Sequence, residues 1–182
     1  PSLEGRPPYP AALPGNALEL PLPGEGARRA LLAHYAPVLA VARTDSANLP
    51  GTVGLADGRP EVLTATTTAY HWISWTRFDG DRLLQLNYQF WFTERPRGSA
   101  LDPYAGRLDG LIWRVTLKPN GNVLAYDSIH PCGCYHKVYP VDPDIRPRRP
   151  EQVGQPVFYP EDVPNARRER VRVLLQPDTH YV

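Results

Sequence analysis

From Arg82 to Glu94 the chain reads RLLQLNYQFWFTE, and its apolar and polar positions alternate: Leu84, Leu86, Tyr88, Phe90 and Phe92 fall on one face, Gln85, Asn87 and Gln89 on the other. A period of two is the signature of a strand with one buried face. DGLIWRVTLKPNGNVLAYDSIH repeats the pattern as a hairpin, with Leu111, Trp113, Val115 and Leu117 on one face, PNG as the turn, and Val123 to Ile129 as the return strand. EVLTATTTAYHWISWTRFDGDRLL is rich in Thr, Tyr, Trp and Ile and leads through Asp79-Gly80 into the first strand, and RERVRVLLQP predicts another strand near the end. One helix is predicted, over residues 25 to 36, with Glu25 in its first turn, Leu31, Leu32 and Tyr35 as its stripe and Pro37 as its stop; PVLAVAR continues as a short strand.

These elements predict a mainly-β fold, an antiparallel β-sandwich or open barrel with one short N-terminal helix and long Pro-rich loops. Residues 1–24 read as an extended Pro-rich arm and 25–182 as a single domain, in which the Pro-rich run from Tyr139 to Pro164 is a loop laid over the sheet.

Composition changes this picture little. The formal charge of +1 gives no reason to expect nucleic acid or an anionic membrane, and no stretch approaches the ~20 consecutive apolar residues of a membrane span. The chain opens at Pro1 and contains no Met, so a lost preceding segment is expected; an exported protein, periplasmic or secreted, is preferred over a cytoplasmic one. RVRVLLQPDTHYV ends without a polar tail, and a further C-terminal segment or another chain is the expected partner of residues 170–175.

Candidate chemistry is concentrated in HPCGCYH, residues 130–136, which contains both cysteines and two of the five histidines. Fully extended, its ends would lie roughly 20 Å apart, so a common site requires the segment to curl at Pro131 and Gly133. His130, Cys132, Cys134 and His136 are then candidate ligands for a Zn or Cu ion, both of which accept thiolate and imidazole. Two other readings stand beside this: a Cys132–Cys134 disulfide, strained and therefore redox-labile or else structural, and two small buried hydrophobes with hydrogen-bonded histidines. Counting along the hairpin brings Asp109 close to residues 130 to 132, so Asp109 or Asp127 is a candidate to orient His130 from behind; the plain alternative is a turn at Asp109-Gly110 and an Asp127–Arg114 ion pair. His34, His71 and His180 carry no local signal. Trp72, Trp75 and Trp91 are candidates for stacking a carbohydrate, although strand aromatics more often belong to a core.

The stretch from LLQLNYQFWFTERP through LDGLIWRVTLKPNGNVLAYDSIHPCGCYH resembles a family of uncharacterised bacterial proteins over about the middle third of the chain. YQFWF, Asp109 and His130 are also similar to slots in the β-sandwich of necrosis-inducing and vacuolar-sorting-like proteins, which implies a sandwich and no particular activity. The leading expectation is therefore a metal-binding exported bacterial β-domain. A non-catalytic binding or structural module with a Cys132–Cys134 redox or structural disulfide is the alternative. Were the metal catalytic, Asp109 or Asp127 would serve as base toward its bound water; no residue pattern assigns a reaction.

Overall fold

The alternating segment becomes strand β5 (Asp81–Arg95), flanked by β4 (Tyr70–Phe78) and β6 (Gly106–Leu117). The computed structural model describes residues 18, 20–41, 45–143, 145 and 170–182. With β7 (Val123–Ile129) and β8 (Lys137–Pro140) these strands form one antiparallel sheet in the order β4-β5-β6-β7-β8. Each neighbour follows its predecessor in the chain, because short turns can join only adjacent antiparallel strands. Asp79 and Gly80 turn β4 into β5 with φ of 50° and 85°. At Asn120-Gly121 the Lys118 N–H donates to the Asn122 carbonyl at 2.8 Å and closes the β6–β7 hairpin. The mainly-β, antiparallel and open arrangement is the one expected.

Two small ladders complete the fold. β2 (Thr52–Ala56) and β3 (Arg59–Leu63) form a hairpin over Asp57-Gly58, an element the alternation does not predict: Val53, Leu55 and Leu63 are all substantially exposed, so the hairpin lacks an apolar face of its own. β1 (Val38–Val41) pairs in parallel with β9 (Arg172–Leu175), which is the partner that residues 170–175 find within the chain. The helix α1 spans Glu25–His34, two residues shorter than expected, because Pro37 biases Ala36 away from helical geometry.

One face of the sheet is the core. Leu84, Leu86, Phe92, Val115 and Leu117 are fully buried there, roofed by Leu31 and Leu32 of α1 and by Val173 and Leu175 of β9. Each such side chain contributes roughly 1.5–3 kcal/mol by leaving water. Tyr88 satisfies its buried hydroxyl by donating to the Leu32 carbonyl at 2.8 Å, and Tyr35 donates to the Gly121 carbonyl at 2.6 Å, tying the helix to the β6–β7 turn. The opposite face is polar: Gln85 donates to Thr116 at 3.1 Å and Asn87 to Ser74 at 2.9 Å. The expected N-terminal arm lies outside the described residues except for positions 18 and 20–24, and so does most of the Pro-rich loop after Tyr139. Among the described residues no helix is long and apolar enough to cross a membrane.

Gly51 fastens the outer hairpin to β5, its N–H donating to the Trp91 carbonyl at 3.0 Å. A Cβ at this position would lie 2.3 Å from the Leu63 carbonyl oxygen, a backbone atom that cannot swing aside. Gly51→Ala is therefore expected to lower stability by about 1–3 kcal/mol, as for an overpacked interior site, read as a lower urea midpoint with an unchanged slope.

Candidate functional site

HPCGCYH is the turn between β7 and β8. Gly133 donates to the His130 carbonyl at 2.8 Å and His130 N–H donates to the Cys134 carbonyl at 3.1 Å, so the segment does curl. Gly133 takes φ 88°, a conformation open to a residue without Cβ, and Tyr135 takes φ 57° at some cost.

The curl does not gather the four expected ligands. Strand pleating sends Asp109 and Asp127 to opposite faces, since Asp109 pairs with the core residue Phe92 whereas Asp127 pairs with Arg114, itself opposite Asn87 on the polar face. The two histidines divide between these carboxylates. His130 donates from Nδ1 to Asp109 at 3.2 Å, and His136 Nε2 lies 3.1 Å from Asp127. Cys132 is exposed, Cys134 is half-buried, and both are free thiols. Among the described residues no group of three or more His, Cys, Asp or Glu side chains could hold a metal ion. The Zn or Cu site at His130, Cys132, Cys134 and His136 is thus corrected: ligands two residues apart share a side only in an extended strand, and here the chain turns.

The Asp109 carboxylate lies 3.2 Å from His130 Nδ1. It also receives a second imidazole, His180 Nδ1 at 2.7 Å, from 71 residues further along the chain. Burial alone would raise the Asp109 carboxyl, but the hydrogen bonds from His130 and then His180 outweigh it and hold the group well below the usual carboxylate range. His180 is fully buried and stacks on Phe92, ring centroids 3.9 Å apart and planes 5° from parallel. The Nε2 atoms of both histidines are buried and have no partner among the described residues. The arrangement anchors the turn after β9: Gln176 donates to the Tyr181 carbonyl at 2.8 Å, and the buried Asn48 accepts from Asp178 N–H at 2.8 Å. Asp127 takes the plain alternative, an ion pair with Arg114 at 2.6 Å.

Around the turn lies a cluster that the sequence did not signal. Arg95, buried, has its guanidinium carbon 5.0 Å from the ring centre of Tyr181 and 5.5 Å from that of Tyr104. Tyr135 sits 4.4 Å from Tyr181 and 5.3 Å from Tyr104. These contacts wall the inner side of the turn and leave the Cys132 side open. Cys134 is pushed above the ordinary thiol range, first by the Cys132 thiol beside it and then by burial. Arg95 and Tyr104 come from chain segments far from HPCGCYH, and only closure of the sheet brings them there.

Compared with known proteins, the chain matches no family model, no curated protein and no solved structure.

Proposed function

We propose that this chain is a β-sheet binding module whose reactive element is the Cys132–Cys134 dithiol, exchanging with a disulfide. One observation carries the reading: two free thiols stand two residues apart in one turn whose backbone is pinned at both ends, with Cys132 exposed. The Cys132 thiolate attacks one sulfur of an incoming disulfide and expels the first thiolate. The Cys134 thiolate then attacks the sulfur of Cys132 and expels the second. The module's dithiol is oxidised, the partner disulfide is reduced, and the two protons given up by Cys132 and Cys134 end on the two product thiols. A bridge between residues two apart closes a small ring, and strain of that kind makes a disulfide easier to reduce. The periplasmic or secreted setting belongs to the same proposal, because disulfides persist in oxidising compartments.

The test equilibrates the protein with glutathione buffers of increasing oxidising poise, quenches with an alkylating agent and reads intact mass. The expected result is a switch from a doubly alkylated to an unalkylated form, with Cys134→Ser instead accumulating a mixed disulfide at Cys132. Double alkylation at every poise would overturn the reading. The second attack needs the Cys134 thiolate, which is held high, so ring closure should accelerate as pH rises through and beyond the ordinary thiol range, about 8.5. Stopped alkylation time courses at several pH values would show a flat rate if this is wrong.

A further inference from the structure

Away from the thiols, the sheet carries a groove of ≈ 460 Å³ lined by Tyr70, His71 and Trp72 of β4 and by Gln89 and Trp91 of β5, with Val53 and Leu108 at its sides. That volume is within the range of about 300–1,000 Å³ typical of small-molecule sites. We infer that this groove binds a neutral carbohydrate, whose ring stacks on the indoles and whose hydroxyls meet the Gln89 carboxamide.

The strand register makes the site. Tyr70 pairs with Gln89 and Trp72 with Asn87, so these side chains share the polar face of the sheet, and Trp91 follows Gln89 on the same face of β5. Trp75 falls three residues after Trp72 and turns to the other side, where it packs on the core and donates its indole N–H to the Pro21 carbonyl at 2.8 Å. Pleating therefore assigns Trp72 and Trp91 to the groove and Trp75 to the fold.

Folding alone does not account for the lining. Trp72 is 38% exposed and Val53 40%, so apolar surface that could have been buried faces this groove. Leu108 holds φ 65° within β6, a left-handed conformation that a leucine seldom adopts, and it forms part of the wall.

The chemistry of the lining selects among ligands. None of the described lining residues is Asp, Glu, Lys or Arg, so an anion finds no cation and a cation finds no carboxylate. A purely aromatic ligand would use the indoles and leave the Gln89 amide unmet. A sugar ring has both an apolar C–H patch for the indole faces and hydroxyls that donate and accept, which is what a carboxamide requires.

The test titrates the full chain with cello-, malto-, xylo- and chito-oligosaccharides and follows tryptophan fluorescence and calorimetric heat, with choline and indole as the cationic and aromatic probes. Saturable binding of at least one neutral oligosaccharide is expected, weakened about tenfold or more by Trp72→Ala and by Gln89→Ala and unchanged by Trp75→Phe. Trp72 is exposed, so its variant should keep the parent circular dichroism, and Gln89→Ala gives a second reading that removes no ring. The proposal is overturned if no oligosaccharide binds at millimolar concentration, if choline or indole binds in their place, or if Trp72→Ala and Gln89→Ala bind as the parent does.

Discussion

Asp109→Ala is expected to lower folding stability by about 2–6 kcal/mol, because each of two buried imidazole N–H groups left unsatisfied costs about 1–3 kcal/mol. The carboxylate is the acceptor for both His130 and His180, at 3.2 and 2.7 Å, and their Nε2 atoms have no partner among the described residues. Removing it leaves two buried rings with neither nitrogen satisfied. Urea unfolding measures the total loss, and hydrogen exchange locates it. The amides of Gln176 and His180, which close the turn after β9 onto Tyr181 and Gln176, should lose protection before those of β5 and β6. Uniform loss across the sheet would mean that Asp109 supports the core rather than the turn.

The same residue gives the protein an acid-side signature. Its carboxyl is held below the usual range when folded and returns to about 3.9 when unfolded. A group with a depressed folded pKa stabilises fully above its unfolded value, and the contribution is lost as pH falls toward the folded value. Parent stability should therefore drop as pH falls below about 4, whereas Asp109→Asn should start lower near neutrality and show a shallower acid slope. Parallel curves for the two proteins would rule this out.

Phe92→Ala is expected to cost a comparable amount, about 3–5 kcal/mol, because Phe92 is fully buried and serves two neighbours at once. It packs in the core cluster with Leu84, Leu86 and Leu111, and its ring is the surface on which His180 stacks at 3.9 Å. Phe92→Leu separates the roles: it refills most of the space but offers no flat ring. The Leu variant should recover much of the urea midpoint while its His180 resonance still moves away from the parent position. A His180 signal unchanged in both variants would show that the stack contributes nothing to placing the ring.

Strand pairing was legible wherever one face is apolar and the turn is short. The alternation through Leu84, Leu86 and Tyr88, with Asp79-Gly80 and Asn120-Gly121 at its ends, specifies register because a slip by one residue would exchange the faces. The contact between Asp109 and His130 follows from that register by counting, so it was available before any coordinate. The β2–β3 hairpin was not, since its outward Val53 and Leu55 have no periodic apolar face to reveal it.

What the chain determined by itself is local: which residues pair across a turn, and that His130 leaves a strand end beside a carboxylate. What the tertiary structure alone decided is convergence. His130 and His136 looked like one ligand set because they are six residues apart, yet the pleat places Asp109 and Asp127 on opposite faces and each histidine goes to its own carboxylate. Asp109 meets His180 only because β9 pairs with β1 and carries the following turn under Phe92. Trp72 and Trp91 face one groove while Trp75 enters the core, since a strand exchanges faces at every residue and the partner that covers each face comes from elsewhere in the chain.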